Sequence, residues 1–140
     1  ASDPVLLTKD VTRPNGIGFS PDEKKLYVAS SDPDKAIWMV YDVQDDGSIA
    51  NGKVFFDSTA WFKEGRPGLP DGLKVDQKGN IFATGPGGVL VFAPDGTHLG
   101  TIETGQKTAN CGFGGDGSVL YMTADMFFCR IQLNTRGLGF

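Results

Sequence analysis

The sequence predicts an all-β protein, and three observations lead to that prediction. Short runs rich in Val, Ile, Tyr and Phe recur along the chain, as in half-buried strands. The 20 Gly and 8 Pro residues separate these runs at regular intervals instead of forming one linker. No segment shows a convincing helical period. The nearest candidate, STAWFKEG from Ser58, is long enough only for a short helical turn.

The predicted strands fall into three successive blocks. The first block contains IGFS, KLYVAS, IWMVYDV and KVFFD, separated by polar connections. The second contains LKVD, NIFATG, GVLVFAP and HLGTIE, with hairpin turns predicted at Lys78-Gly79 and Asp95-Gly96. The third contains CGFGG, VLYMTAD and FCRIQL, with a turn at Asp116-Gly117 and no sign of a fourth strand.

The three blocks are repeats of one plan. NGIGFSPDEKKLYVAS from Asn15, DGLKVDQKGNIFATG from Asp71 and NCGFGGDGSVLYMTA from Asn110 each place a short polar residue before a strand rich in small residues. A tight turn and an aromatic and aliphatic strand follow. Four antiparallel strands that recur at roughly 40 to 50 residues are typical of β-propeller blades. We therefore predict about three four-stranded blades, half of a six-bladed propeller.

The predicted boundaries follow from the repeats. The blades are residues 13–57, 69–104 and 105–140, with a connection at 58–68 and, in residues 1–12, an outer strand of a preceding or partner blade.

The polar residue that opens each inner strand is the candidate functional position. Inner strands line the central channel of a propeller, so Asn15, Asp71 and Asn110 are expected to point toward a common axis. Amide and carboxylate oxygens suit a hard divalent cation such as calcium, magnesium or manganese. The alternative is that these residues only cap turns before strands, as Asp and Asn often do.

Other polar and aromatic residues are expected to have structural roles. His98 is predicted to be a surface residue. The aspartates in the predicted hairpin turns are expected to cap those turns. The turn residues are Asp46, Asp95 and Asp116, and a turn is also favoured for Asp125. Aromatic residues are predicted to pack between blades, namely Trp38, Phe55, Phe56, Trp61, Phe127 and Phe128.

Composition excludes several classes of partner. The net charge of the 140-residue chain is -4 and it has no basic stripe, so nucleic acid is not expected. No apolar run approaches the roughly 20 residues that span a bilayer, and a soluble chain is expected. Cys111 and Cys129 lack metal-ligand spacing and are predicted to be buried free thiols. Free thiols favour a cytoplasmic chain slightly, although an exported chain without its signal would look the same.

Three phrases resemble a known family. RPNGIGFSPDEKKLYVA, GRPGLPDGLKVDQKGNIFATGPGGVLVFAPDG and TANCGFGGDGSVLYMTADMFFCRIQL are similar to the carboxyl-terminal half of a gluconolactonase, in the senescence-marker-protein, gluconolactonase and luciferin-regenerating-enzyme family. The resemblance implies a six-bladed propeller that hydrolyses a sugar lactone such as glucono-1,5-lactone. Two alternatives stay open: an inactive half-propeller that self-assembles, and a propeller module that only binds a ligand.

The resemblance also implies site residues. The family holds one divalent cation with a Glu from its amino-terminal part, the Asn of the RPNG phrase and the Asp of the LPDG phrase. Asn15 and Asp71 would then be metal ligands, with Asp71 also the catalytic acid/base. Calcium is the first expectation for the ion, with magnesium, manganese and zinc as alternatives. Asn110 matches no family ligand and is expected, from the residues alone, to contact substrate.

The family's amino-terminal half, with its Glu ligand, has no counterpart in this sequence. The glutamates that are present are expected on the surface, namely Glu23, Glu64 and Glu103. Three blades cannot close a ring and would leave exposed strand edges. The expected partner is a second copy of the chain or a separate amino-terminal half.

Overall fold

The structure, a computed structural model, describes residues 3–140. In that range it contains 11 strands in three antiparallel sheets and one short helix, α1 (Thr59–Lys63). The all-β prediction is therefore confirmed, and the helical turn predicted from Ser58 is present. The first two residues of the predicted segment 1–12 lie outside the described range.

Each sheet is a simple up-and-down meander. The first contains, in order, β1 (Pro14–Phe19), β2 (Lys25–Asp32), β3 (Lys35–Val43) and β4 (Ile49–Asp57). The second contains β5 (Leu73–Val75), β6 (Ile81–Gly85), β7 (Gly88–Phe92) and β8 (His98–Glu103). The third has only β9 (Thr108–Gly114), β10 (Val119–Ala124) and β11 (Phe127–Gln132).

The sheets stack side by side through their first strands. β5 contacts β1 on one side and β9 on the other. Gly72 donates its backbone N–H to the Ala109 carbonyl oxygen at 2.9 Å, which joins the second sheet to the third at the start of these strands. β1, β5 and β9 are therefore inner strands, and the chain forms three blades of a partial propeller.

Aromatic residues fill the space between the first and second sheets. The Trp38 and Phe92 ring centroids lie 5.4 Å apart, and those of Phe56 and Phe92 lie 4.7 Å apart. Phe55 and Trp61 pack against the same cluster. Packing between blades is therefore confirmed for the predicted aromatic residues of the first block and its connection.

His98 belongs to this aromatic cluster, so the prediction of a simple surface residue was wrong. The ring is half-buried, 5.1 Å from Trp61 and 5.7 Å from Phe92, and Nε2 is hydrogen-bonded to Thr101 Oγ1 at 3.0 Å. The bulge between Val91 and Phe92 places His98 opposite Phe92 in the β7–β8 ladder. A local turn signal does not show this inward orientation.

A second core lies between the second and third sheets and contains the thiols. Cys111 is buried on β9 and Cys129 is half-buried on β11. Both are opposite Met122 of the intervening strand β10, one on each side. The two sulfurs are thus two strands apart and free, as predicted, but Cys129 is less buried than predicted.

The outer face of the third sheet is open, whereas the segment before β1 covers part of the first sheet's outer face, where Val11 packs on a buried apolar cluster. On the third sheet, Phe127 and Phe128 are 50% and 74% exposed, so packing between blades was wrong for these two residues within this chain. On the first sheet, Ile17 and Phe19 are also exposed. Among residues 3–140, no further sheet packs against these exposed apolar side chains.

The two ends of the chain differ in how they contact the sheets. Residues 3–13 form no strand, although the Arg13 carbonyl oxygen accepts a hydrogen bond from the Ser31 N–H at 2.9 Å. The carboxyl-terminal residues return to the second sheet, where Leu138 N–H donates to the Val75 carbonyl at 3.0 Å. Fully buried Asp76 accepts the Thr135 hydroxyl at 2.7 Å and so anchors this return. Among residues 3–140, no helix has the length and apolar character needed to cross a membrane.

Candidate functional site

The structure brings the three predicted site positions to one end of the inner strands. Asn15 lies in β1, Asp71 lies two residues before β5, and Asn110 lies in β9. Glycines allow the close approach. A Cβ on Gly16 would lie 1.9 Å from the Asp71 carbonyl oxygen, and a Cβ on Gly72 would lie 2.1 Å from Asn110 Oδ1. Any side chain at either glycine would separate the strands that carry the site.

Asn15 is oriented by a serine that the sequence reasoning missed. Asn15 Nδ2 donates to Ser31 Oγ at 3.1 Å, and the Ser31 hydroxyl donates to the Pro70 carbonyl oxygen. Because the amide nitrogen faces Ser31, Oδ1 is the Asn15 atom that a cation can use. Ser31 also links the first sheet to the residue just before Asp71.

Asp71 is partly buried and is held through its backbone. Its N–H donates to the Thr84 carbonyl oxygen at 3.0 Å. Burial raises the pKa of the Asp71 carboxyl, while hydrogen bonds from the Gly72 N–H and the Asn15 side chain act in the opposite direction. A carboxylate with a raised pKa is a better proton acceptor, whereas a nearby divalent cation would favour its ionised form.

The side-chain oxygen of Asn110 already accepts a hydrogen bond, whereas its side-chain nitrogen is available to a ligand. Its Oδ1 accepts the Cys111 N–H at 2.9 Å, so Nδ2 is the group that can donate to a ligand. Thr84, also missed from the sequence, hydrogen-bonds through Oγ1 to the Gly72 and Ala109 carbonyl oxygens at 2.9 and 3.0 Å. This hydroxyl joins the start of β5 to that of β9, and so fixes Asn110 relative to Asp71.

A lysine side chain lies further along the channel wall. Lys74 is an exposed residue of β5, and its Nζ donates to the Leu73 carbonyl oxygen at 3.0 Å. It borders a cavity of about 380 Å³ whose far end is lined by Leu138 and Phe140. The sequence reasoning did not single out Lys74, because an isolated lysine in a strand is typical of a solvated face.

The site oxygens fit a divalent cation only in part. Asn15 Oδ1 and the Asp71 carboxylate are both hard ligands, which suit calcium, magnesium or manganese. Within residues 3–140, no group of three or more His, Cys, Asp or Glu side chains could hold a metal ion. Calcium takes roughly six to eight oxygen ligands. Asn15 and Asp71 alone would therefore leave most of the calcium coordination shell to other oxygens.

The other acidic residues that the sequence analysis named lie in turns or at exposed ends of strands and helices. The three predicted turn aspartates each accept a backbone N–H from the residue two positions on, at 2.9 to 3.1 Å. They are Asp46, Asp95 and Asp116. Asp125 occupies the β10–β11 turn with a φ of 55°. The glutamates are exposed in a turn, at a helix end and at a strand end, and are Glu23, Glu64 and Glu103.

Comparisons with known proteins identify the family that the chain resembles. Residues 3–125 match the family model described as "SMP-30/Gluconolactonase/LRE-like region". The chain is 39% identical to a gluconolactonase of Zymomonas mobilis, over 94% of this chain and 38% of that protein. It is 34% identical to a pentonolactonase of Haloferax volcanii, over 79% of this chain and 37% of that protein.

A solved structure supports the fold. The calcium-binding protein regucalcin from Agrobacterium tumefaciens superposes with a TM-score of 0.72 at 27% identity, over 96% of this chain and 50% of that one. The chain thus spans less than two fifths of the two lactonases' lengths and half of regucalcin's. The family match, which covers most of the chain, shows that this chain belongs to the SMP-30, gluconolactonase and LRE-like family.

Proposed function

We propose that this chain supplies one wall of a lactone hydrolase site, which works in a complete six-bladed ring. The observation that carries the proposal is the position of Asn15 on β1 and of Asp71 just before β5, at one end of these neighbouring inner strands. Two relatives that are named for hydrolysis of sugar lactones support this substrate class. Sugar lactones are therefore the proposed substrates, with glucono-1,5-lactone the first to test.

The proposed reaction is attack of water on the ring carbonyl carbon. Asn15 Oδ1 and the Asp71 carboxylate would hold a divalent cation, and such an ion would supply Lewis-acid polarisation of the carbonyl oxygen. Asp71 accepts a proton from the attacking water, and its partial burial favours this role. The ring carbon–oxygen bond then breaks, and the released oxygen takes up a proton to give the open hydroxy acid.

Asn15 and Asn110 are proposed to position the reactants. Ser31 fixes the Asn15 amide nitrogen, so that Oδ1 is presented to the cation. Asn110 Nδ2 is proposed to donate to a substrate hydroxyl, because its oxygen is already bonded to the Cys111 N–H.

Calcium is proposed as the cation, with magnesium, manganese and zinc as alternatives. Regucalcin, described as a calcium-binding protein, is similar to 96% of this chain, and the match covers 50% of regucalcin. Oxygen-only ligands favour calcium, magnesium or manganese over zinc, which prefers nitrogen and sulfur ligands.

Metal dependence is tested by titrating the acid released from glucono-1,5-lactone at constant pH. The purified chain is assayed as prepared, after treatment with a chelator, and after each of the four cations is added back. We expect the rate to fall to the uncatalysed level on chelation and to recover best with calcium. A catalysed rate that survives chelation would contradict the metal-dependent mechanism. No catalysis with any of the cations, in a preparation whose native mass corresponds to a complete ring, would contradict the activity itself.

A further inference from the structure

One lysine on the inner strand of the second sheet is not used by the proposed reaction. Lys74 is the middle residue of β5 and is exposed. Its neighbours Leu73 and Val75 are buried in the core between the first and second sheets. Because successive side chains of a strand point to opposite faces, Lys74 lies on the other face, the one on which Gly72 meets Asn110 of β9.

The amine of Lys74 lies on the channel side of β5. The Gly72 carbonyl oxygen accepts the Thr84 N–H at 2.9 Å, on the β6 side of the strand. Since the residues that bond to a neighbouring strand alternate along an antiparallel pair, the Leu73 carbonyl oxygen faces the opposite edge, which lines the channel. Lys74 Nζ donates to this oxygen at 3.0 Å and so lies in the channel.

The surroundings of this amine favour a negatively charged ligand. An ammonium group has three N–H donors, and the Leu73 carbonyl oxygen accepts one of them. None of the ion pairs within residues 3–140 includes Lys74. The rest of the cavity wall beside it is glycine and apolar side chains, including Ile17, Phe19, Phe113, Leu138 and Phe140. An apolar wall strengthens the attraction between the ammonium group and an anion.

The amine lies within the length of one sugar of the candidate site. Two residues of chain, from Asp71 to Leu73, span at most about 7 Å, and Lys74 Nζ is bonded at Leu73. A six-carbon chain with bonds of about 1.5 Å covers a comparable distance. A lactone with its ring carbonyl at Asp71 can therefore place a group on its last carbon at Lys74.

We propose that Lys74 binds a negatively charged group, a carboxylate or a phosphate, on the carbon of the lactone farthest from the ring carbonyl. This deepens the proposed function and rests on it, because it names the class of sugar lactone that binds best. A charge-assisted hydrogen bond from Lys74 to this group is stronger than one to the hydroxyl of a neutral sugar. Anionic lactones are therefore the preferred substrates, and neutral ones such as glucono-1,5-lactone bind more weakly.

The first test measures binding without catalysis. Calorimetric titration with saturating calcium compares 6-phosphogluconate with gluconate, which lacks only the phosphate. We expect the wild type to bind 6-phosphogluconate about 10-fold more tightly. Lys74→Met keeps the length of the side chain without its charge, so it should abolish this preference and leave the gluconate affinity close to the wild-type value. Lys74→Arg keeps the charge and should retain most of the preference.

The matched control is Lys53→Met, which removes an exposed lysine from the outer strand β4 of the first sheet. It should bind both compounds as the wild type does. Circular dichroism checks that all the variants stay folded.

The second test measures initial rates on three lactones. The 6-phosphate of glucono-1,5-lactone and the 1,4-lactone of glucaric acid carry the two proposed anionic groups, and glucono-1,5-lactone is the neutral reference. For at least one anionic lactone we expect Lys74→Met to raise KM about 10-fold with kcat nearly unchanged, because Lys74 contacts the substrate away from the reacting atoms. The KM for the neutral lactone should not change.

Two results would overturn the proposal. One is a wild type that binds 6-phosphogluconate and gluconate equally. The other is a Lys74→Met variant that weakens the binding of both compounds by the same factor. These results are distinct from failure of the proposed function. A phosphate preference that depends on Lys74, without hydrolysis of any lactone, would uphold the anion site and contradict the lactonase activity.

Discussion

At the residue scale, the site depends on contacts between strand ends that lie far apart in the sequence. The placement of Asn15, Asp71 and Asn110 at one end of the inner strands was predictable, because each opens a repeat at the same phase. Ser31 and Thr84 were not, because their roles arise only when the sheets pack. Ser31, for example, contacts Asn15 and Pro70, which are 16 and 39 positions away. A serine in a strand has no local pattern that marks such a role.

Ser31→Ala tests whether Ser31 orients Asn15. Loss of the Oγ acceptor frees the Asn15 amide to rotate, so we expect the dissociation constant for calcium to rise about 10-fold. Calorimetric titration measures it. Ser48→Ala, which removes a hydroxyl from a distant exposed turn, is the control. Equal calcium affinity in the two variants would contradict the positioning role.

At the element scale, the strands and turns were predictable because their signals are local. Asp-Gly turns identify the hairpins at Asp46, Asp95 and Asp116, and alternating apolar residues identify the strands, without knowledge of neighbouring sheets. The burial of Phe127 and Phe128 was not predictable in this way. Their strand is correct, but their burial depends on whether another strand or sheet lies beside β11. His98 shows the reverse case, in which a bulge and a neighbouring sheet bury a residue that local sequence places on the surface.

The burial of Cys111 against the second sheet should protect its thiol from chemical modification. Burial raises the pKa of the Cys111 thiol to about 11, so only about one molecule in 1,000 carries the thiolate at pH 8. We expect Cys111 to react with a thiol reagent only when the protein unfolds. In Cys129→Ser, the remaining thiol should be slow in buffer and fast in urea. Rapid modification of this variant under native conditions would contradict the burial of Cys111.

At the scale of the whole molecule, the repeat pattern and the family phrases were sufficient to predict a partial propeller. They could not decide what completes the ring, because that depends on surfaces at both ends of the stack. The stability of the stack also depends on many exposed turns. Several turn carboxylates accept hydrogen bonds from nearby backbone N–H or hydroxyl groups, which lower their pKa values below 3.8. These are Asp22, Asp46, Asp95 and Asp116.

The lowered pKa values of these turn carboxyls predict that the folded protein loses stability in acid. A carboxyl whose pKa is lower in the folded state stabilises the fold above its unfolded pKa of 3.8, and this contribution is lost as pH falls through the folded value. We expect the unfolding temperature to be nearly constant from about pH 7 to pH 5 and to fall below about pH 4. Asp95→Asn keeps a residue that favours the same turn but cannot titrate, so its decline should be shallower. A steeper decline in this variant would contradict the assignment.

The central claim is that Asp71, at the mouth of the channel, carries out lactone hydrolysis. The most direct test measures initial rates on glucono-1,5-lactone with saturating calcium for the wild type, Asp71→Asn and Asp95→Asn. The last variant makes the same change in a hairpin turn outside the site. Loss of the proton acceptor is expected to lower the rate of Asp71→Asn by about 100-fold or more, while Asp95→Asn stays close to the wild type. Equal rates for the two variants would contradict the claim.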